Sequence, residues 1–328
     1  MERYTKSGPE VTLILAPSSS PTAGTASVVR ALRGHIDTVR GVACAATGDR
    51  VASASADSTA KVWSLSKQDK EAVTLRGHGW GVRSVHFSGD GRQVVTASGD
   101  KTAAIWDADH GNALARYIGH KGSVSSANFS HCGQRVLSGS EDKSCHLWDT
   151  TTLKTVVKCL GHTWPVTAIS VSLDDRTCGS ASEDTTAALW DLRTGSCFSR
   201  LKHDDDVRSF HFSSCNQTVV TGCADGQVRI WDASMAKCVR VLHHQAAVNS
   251  AVISADGRRV LSSSADKTVK IWDVDSGDCL LDMEHTSTVH GAAWGPREDV
   301  AATVSDRKVQ IWAVKHADGG VQAPMSPT

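Results

Sequence analysis

Residues 161–191, GHTWPVTAISVSLDDRTCGSASEDTTAALWD, contain four residues that recur along almost the whole chain. They are a histidine (His162), a hydroxyl residue (Ser180), an aspartate (Asp184) and a tryptophan (Trp190). Seven tryptophans recur in this register, at spacings of 43, 42, 42, 41, 41 and 40 residues. A period of this length indicates an array of supersecondary units, each of which can bury its apolar surface only against a neighbour.

Each unit carries the four anchors at nearly constant offsets. The histidine precedes the aspartate by 22 residues in six units and by 21 in the seventh. We expect one buried network per unit, in which the aspartate accepts a hydrogen bond from the imidazole and the hydroxyl reaches both imidazole and indole. The anchors are His35, Ser53, Asp57 and Trp63; His78, Thr96, Asp100 and Trp106; His120, Ser138, Asp142 and Trp148; His162, Ser180, Asp184 and Trp190; His203, Thr221, Asp225 and Trp231; His244, Ser262, Asp266 and Trp272; and His285, Asp306 and Trp312.

The seventh unit departs from the pattern, counted back from its aspartate. Four residues before Asp306, where the other units have Ser or Thr, the chain has Ala302. An alanine cannot supply the hydroxyl, so we expect the seventh network to be truncated and its unit to be the loosest of the seven.

Two dipeptides accompany these anchors. The tryptophan is followed by aspartate in five units, as in Trp190-Asp191, and the histidine is preceded by glycine in four, as in Gly161-His162. These motifs are similar to those of the WD-repeat β-propeller family, and they cover residues 32–313. The resemblance implies an all-β fold, a seven-bladed β-propeller built from four-stranded antiparallel blades.

The strand pattern also indicates how the ring closes. In the second unit, alternation and turn residues predict strands at 82–87, 93–97, 103–107 and 113–118. Residues 28–32 resemble an outer strand with no unit before it, and no outer strand follows Trp312. We expect the N-terminal strand to complete the last blade, since closure removes exposed sheet edges. The predicted propeller spans residues 28–314, between flexible tails at 1–27 and 315–328. The apolar run at 11–15 is either an extra strand or a docking segment.

Composition restricts the classes of partner. Lys plus Arg and Asp plus Glu both total 35, and the pI is about 7.2, so no charge excess indicates nucleic acid or an anionic membrane. The ten cysteines form no C-x-x-C pair, and several occupy strand positions where other units have small apolar residues, which predicts buried free thiols. Free thiols indicate a reducing compartment, and hence the cytoplasm or nucleus rather than secretion. No segment reaches transmembrane length, and residues 11–15 are too short for a signal-peptide core.

No motif for catalysis or cofactor binding is evident. The sequence lacks a nucleophile elbow, a phosphate loop, a dinucleotide-binding glycine pattern and a zinc helix motif, so we expect no catalytic residue, cofactor or metal site. The recurring Ser or Thr, His and Asp could be interpreted as a catalytic triad. Repetition at identical offsets is what folding requires of every blade and what catalysis does not, so we favour the structural role.

Function is therefore expected at positions that differ between units. Trp80 and Trp164 lie in loops after an anchor histidine, where the repeat gives them no folding role, whereas Trp294 occupies an inward strand position. Because Trp and Arg are enriched in interface hot spots, we predict that a partner protein or peptide docks on this face. The alternative is that both indoles cap adjacent blades. The predicted binding residues are Arg40, Trp80, Arg83, Glu141, Trp164, Glu183 and Arg208.

A second hypothesis concerns Trp190-Asp191-Leu192-Arg193. The run resembles the Trp-Asp-x-Arg signature of propellers that serve as substrate receptors of cullin-RING ubiquitin ligases, which makes Trp190, Asp191 and Arg193 candidate adaptor contacts. Cys178 stands where that signature favours an aliphatic residue. The sequence thus favours a non-catalytic scaffold, a member of a multiprotein complex, over a ligase receptor. It supports neither an enzyme nor a particular oligomeric state.

Overall fold

The computed structural model describes residues 25–66 and 72–315. These residues form 28 strands in seven four-stranded antiparallel sheets. The prediction of a seven-bladed, all-β propeller is confirmed. We number the blades one to seven by their repeated tryptophans, from Trp63 in blade one to Trp312 in blade seven.

Each blade contributes strands in the same order from the centre of the ring to its rim. The inner strands are β2 (Val39–Cys44), β6 (Val82–Phe87), β10 (Val124–Phe129), β14 (Val166–Val171), β18 (Val207–Phe212), β22 (Val248–Ile253) and β26 (Val289–Trp294). The second strands are β3 (Arg50–Ser55), β7 (Gln93–Ser98), β11 (Arg135–Ser140), β15 (Thr177–Ser182), β19 (Thr218–Cys223), β23 (Arg259–Ser264) and β27 (Val300–Ser305).

The remaining strands form the outer half of the blades. The third strands are β4 (Thr59–Ser64), β8 (Thr102–Asp107), β12 (Ser144–Asp149), β16 (Thr186–Asp191), β20 (Gln227–Asp232), β24 (Thr268–Asp273) and β28 (Lys308–Lys315). The outer strands are β5 (Val73–Arg76), β9 (Ala113–Ile118), β13 (Thr155–Leu160), β17 (Cys197–Lys202), β21 (Lys237–His243), β25 (Cys279–Glu284) and, in blade seven, β1 (Thr25–Arg33). The strands expected in the second unit are confirmed, with β7 and β8 one residue longer than predicted.

The hydrophobic core lies between neighbouring blades rather than within one. Each inner strand contacts the inner strands on both sides, and the contact between β2 and β26 completes the circle. One cluster joins Ile105 and Tyr117 of blade two to Val124 and Trp148 of blade three. Burying an aromatic side chain such as that of Trp148 contributes about 3 kcal/mol to the free energy of unfolding. Because each blade depends on its neighbour for this burial, the ring is stable only as a unit.

β1 lies beside β28, antiparallel to it, with Val28 opposite Trp312 and Leu32 opposite Val309. Ala26 packs in a cluster shared with blade six and Leu32 in one shared with blade one, and they are 3% and 4% exposed. Residues 25–27 and Lys315, which the prediction placed in the tails, belong to paired strands. Residues 11–15 and the remainder of both predicted tails lie outside the described residues.

Two predictions about the chain as a whole can be compared with the described residues. All ten cysteines are free thiols, but Cys132, Cys197, Cys215 and Cys279 are exposed, so the expectation of buried thiols was wrong for these four. Across residues 25–66 and 72–315, no helix has the length and apolar character needed to cross a membrane.

Candidate partner-binding face

The anchor residues form a continuous chain of hydrogen bonds that holds the second and third strands of a blade to its top loops. In blade four, His162 Nδ1 donates to Asp184 Oδ2 (2.7 Å), Ser180 Oγ donates to His162 Nε2 (2.7 Å) and Trp190 Nε1 donates to Ser180 Oγ (2.8 Å). The indole can only donate, which fixes the direction of the chain. Blades one, two and six have the same three bonds, at 2.7–2.9 Å.

These groups are buried in protonation states that suit the network. Burial lowers the pKa of His162, although Asp184 raises it, so the imidazole is neutral. Burial opposes the charge on Asp100, but hydrogen bonds from Thr102, Gly79 and His78 outweigh it and lower the pKa of that carboxyl to about 2. The Ser180 hydroxyl is fully buried and bonded on both sides. Its position suits a structural link and not an attack on a substrate.

Blade three has a shortened network. Trp148 Nε1 has no hydrogen-bond partner among the described residues. Ser138 still bonds His120 Nε2 (2.8 Å), but its other close contact is the carbonyl of His146 (3.3 Å). The Tyr117 ring stacks on Trp148 with centroids 4.9 Å apart, so here aromatic packing stabilises the indole instead. The predicted hydroxyl-to-indole bond was therefore wrong for this blade.

Blade five lacks the predicted bond between His203 and Asp225. Arg229 Nη1 pairs with Asp225 (2.7 Å) and Arg229 Nη2 with Asp204 (2.7 Å), which draws the aspartate away from the imidazole. His203 Nδ1 instead donates to the Leu201 carbonyl (3.1 Å). Burial, followed by the charge of Arg229, lowers the pKa of His203 to about 4.

Blade seven has a hydroxyl, contrary to the sequence prediction. Thr303 Oγ1 bonds His285 Nε2 (2.9 Å) and accepts from Trp312 Nε1 (2.9 Å). Thr303 follows His285 by 18 residues, as the hydroxyl does in every other unit, so the missing residue lies between Thr303 and Asp306. The prediction that Ala302 truncates the network was wrong because it counted from the aspartate. The shorter turn instead takes the aspartate out of the network. Asp306 accepts from Ser287 (2.7 Å), and His285 Nδ1 donates to the Met283 carbonyl (3.2 Å).

The unequal networks predict unequal effects of removing the aspartate. Asp184 accepts from His162 Nδ1 (2.7 Å), Thr163 N (3.0 Å), and Thr186 N and Oγ1 (3.0 and 2.6 Å). Asp184→Ala is expected to lower the free energy of unfolding by about 3 kcal/mol, since buried donors lose their acceptor. Asp306→Ala is expected to lower it by less than about 1 kcal/mol, since Asp306 is exposed. Chemical denaturation of both variants measures the difference, and an equal or larger loss at Asp306 contradicts it.

The loops after the anchor histidines, together with the turns between second and third strands, form one side of the ring, which we call the top face. The inner strands surround a central channel of about 740 Å³. The second residue of each inner strand lines this channel; these residues are Arg40, Arg83, Ser125, Thr167, Arg208, Asn249 and His290.

Two channel histidines were missed from the sequence. His86 and His211 are the fifth residues of β6 and β18, and burial lowers the pKa of each to about 4, so both are neutral. The same position holds Asn128 and Ser170 in blades three and four. In blades one, six and seven it holds Ala43, Val252 and Ala293, so the channel wall is polar on one side and apolar on the other. Comparing the fifth residue of every inner strand would have found this arc.

The two tryptophans outside the repeat lie on the top face. Trp80 is 70% exposed and Trp164 is 57% exposed. Their loops are held from beneath by the backbone: Ser98 Oγ donates to the Trp80 carbonyl (2.9 Å), and Ser182 Oγ donates to the Trp164 carbonyl (3.1 Å). The loops are thus anchored while the indoles stay in solvent. Trp294, in contrast, is half-buried and donates to the Val252 carbonyl (3.3 Å).

The charged residues of this face are connected between blades. Arg83 of blade two pairs with Glu141 of blade three (2.6 Å). Arg208 of blade five donates to the Asn249 amide oxygen of blade six (2.8 Å). Arg40 is exposed at the channel mouth. Glu183 adjoins the Trp164 loop, since its N–H donates to the Pro165 carbonyl (3.1 Å).

The Trp190–Arg193 run lies at the opposite side of the ring and consists mostly of structural residues. Trp190 is fully buried, and the Asp191 carboxylate accepts from Arg193 N (2.7 Å) and Thr194 N (3.0 Å). Asp149 and Asp232 close the equivalent turns in the same way. Of the three candidate adaptor contacts, only the Arg193 side chain is exposed.

The repeat boundaries agree with a known family. The profile of the WD domain, G-beta repeat (WD40), matches residues 26–64, 69–107, 111–149, 153–191, 195–232, 236–273 and 277–313. The chain belongs to the WD40 family. A comparison with curated proteins found no significant match. WD40 propellers generally serve as protein-interaction scaffolds and are typically non-catalytic. In this WD40 propeller the described residues contain no cluster of three or more His, Cys, Asp or Glu side chains suited to a metal ion.

Proposed function

We propose that this WD40 protein is a non-catalytic scaffold that binds a partner protein or peptide on its top face, as a member of a multiprotein complex. The observation that carries the proposal is the exposure of the Trp80 and Trp164 indoles. A large aromatic side chain that stays in solvent on an anchored loop contributes little to folding. Where such a residue is an interface hot spot, truncating it costs about 2 kcal/mol or more of binding free energy.

The exposure argues against the packing-cap alternative. A cap would bury most of its ring, as Trp106 and Trp148 do at 1% and 0% exposure. Trp80 and Trp164 instead keep more than half of their surface in solvent, so removing either ring should expose little of the core.

A triple variant, Trp80→Ala, Trp164→Ala and Arg83→Ala, tests the proposal. We expect its melting temperature to stay close to that of the unmodified protein, because exposed substitutions usually change stability by about 0.5 kcal/mol or less and a surface ion pair contributes about 0–1 kcal/mol. We expect it to lose its partners in affinity purification followed by mass spectrometry.

Phe198→Ala is the matched control, because Phe198 is 56% exposed on the outer strand β17, away from the top face. It should keep every partner. A clear fall in the melting temperature of the triple variant, with partners retained by the folded fraction, would restore the packing-cap interpretation and remove the site from this face.

The same purification separates the scaffold from a ubiquitin-ligase receptor. Recovery of a cullin adaptor that disappears in Arg193→Ala would favour the receptor, since Arg193 is the exposed member of its run. Partners that depend on Trp80 and Trp164 and not on Arg193 favour the scaffold. We further propose that the protein acts in the cytoplasm or nucleus, on the basis of its ten free thiols.

A further inference from the structure

We propose that the partner presents a basic segment, which crosses the top face over blade three and places a lysine or arginine side chain against Glu183, between Trp80 and Trp164. This inference rests on the function proposed above and specifies the chemistry of the partner at the same face.

Between the two indoles, the top surface of blade three does not project as far as the tryptophan loops on either side. Trp80 and Trp164 occupy the same loop position in blades two and four, and Gly122 occupies it in blade three. A Cβ atom on Gly122 would lie 2.7 Å from the Asp142 nitrogen, so the loop lies directly against its own blade at this position and has no side chain there. A peptide can therefore cross blade three between two aromatic walls, with Glu141 and Glu183 beside it.

The two arginines whose charges act on Glu183, Arg83 and Arg208, already have partners. Glu141 holds the Arg83 guanidinium at 2.6 Å, and the amide oxygen of Asn249 holds Arg208 at 2.8 Å. Glu183 makes no ion pair within the described part of the chain. The face thus has a half-buried carboxylate without a neutralising contact, beside an exposed indole.

The local field at Glu183 is negative. Burial raises the pKa of its carboxyl, and the nearby carboxylates of Asp206 and Glu141 raise it further, in excess of the opposing effect of Arg83 and Arg208. Asp205, at the tryptophan position of blade five, is also exposed. A cation from the partner would stabilise this group, whereas an acidic segment would add a further like charge.

The flanking indoles favour the same class of ligand. A guanidinium or ammonium group is attracted to the face of a tryptophan ring as well as to a carboxylate, and the ring also accepts the aliphatic part of the side chain. Trp164 and Glu183 lie on neighbouring loops of blade four, joined by the bond from Glu183 N to the Pro165 carbonyl (3.1 Å). One lysine or arginine can therefore contact both.

A phage-displayed library of random linear peptides, selected on the full-length protein, tests this inference. We expect selected peptides to be enriched in Lys or Arg next to aromatic or aliphatic residues, and to bind more weakly as salt rises. For a synthetic peptide from this selection, Glu183→Gln should weaken binding about tenfold and Glu183→Lys about 100-fold. Trp80→Ala and Trp164→Ala should each weaken it about thirtyfold.

Two variants control for position and charge. Glu284→Gln removes a carboxylate exposed at the top end of β25, outside the proposed path, and should leave binding unchanged. Changing the basic residue of the peptide to glutamate should abolish binding to the unmodified protein. The same glutamate peptide should bind the Glu183→Lys variant, because the swap restores opposite charges.

The outcomes separate the two levels of the proposal. Peptides that depend on Trp80 and Trp164, show no enrichment in Lys or Arg and are unaffected by Glu183→Lys would overturn the basic-partner inference while the docking face remains. Selected peptides that bind the Trp80→Ala, Trp164→Ala, Arg83→Ala variant as well as the unmodified protein, or a selection that yields no peptide at all, would contradict both.

Discussion

Gly179→Val is expected to lower the free energy of unfolding by about 3 kcal/mol or more, because another side chain already fills the space. A Cβ atom on Gly179 would lie 1.9 Å from Cε1 and 2.0 Å from Cζ of Phe210. Phe210 is 4% exposed and packs in the cluster between blades four and five, so its ring has no free space into which to move. Overpacking a filled core typically costs 1–3 kcal/mol, occasionally more, about the size expected here. Urea denaturation measures the effect.

Phe210→Ala should rescue this variant. At the equivalent positions of blades five and six, Val220 packs with Ala251 in one cluster, so Gly179→Val with Phe210→Ala reproduces a pairing that the ring already uses. Each single substitution should lower the free energy of unfolding. The loss in the double variant should be smaller than the sum of the two single losses by about 1–3 kcal/mol. Strict additivity would show that the two sites do not share one space. Gly89→Ala is the control, because no atom lies within 4 Å of a Cβ there, and it should shift stability by about 0.5 kcal/mol or less.

Removing β1 is expected to destabilise the entire ring. A chain that begins at Arg33 lacks the pairing of Val28 with Trp312 and of Leu32 with Val309, so β28 is left as an unpaired edge. Because every blade buries its core against a neighbour, loss of the closing strand weakens both neighbours of blade seven and not one end alone. This chain should melt well below one that begins at Ala26, or aggregate.

Size-exclusion chromatography and circular dichroism of the two chains measure the difference. Equal melting temperatures and equally monodisperse profiles would show that β1 does not stabilise the ring. The apolar run at residues 11–15, absent from both chains, would then need to be tested by adding it back to each.

The repeat was predictable because its interactions are local in sequence. His162 and Trp190, the ends of one network, are 28 residues apart in the chain, so one period of the sequence contains the whole set. Local turn chemistry is visible in the same way, and the strand limits in blade two were therefore predicted to within one residue.

The exceptions within the repeat were not predictable from spacing. Arg229 captures Asp225 because two carboxylates lie within 2.7 Å of its guanidinium, and nothing in the period indicates this. Tyr117 stacks on Trp148 of the next blade, and this contact across the blade boundary takes the place of the hydroxyl-to-indole hydrogen bond. Thr303 was overlooked because a deletion moved the aspartate and not the hydroxyl, and only the bond to His285 identifies the correct residue.

The sequence by itself determined the number of blades, their register and the two tryptophans that the repeat does not use, because period and offset are properties of the chain. The tertiary structure decided which side chains of the top face are available to a partner. Arg83 and Glu141 are 58 residues apart in the chain and 2.6 Å apart in the structure, so this ion pair forms only when two blades pack together. The charges that act on Glu183 likewise come from other blades: Arg83 from blade two, Glu141 from blade three, and Asp206 and Arg208 from blade five.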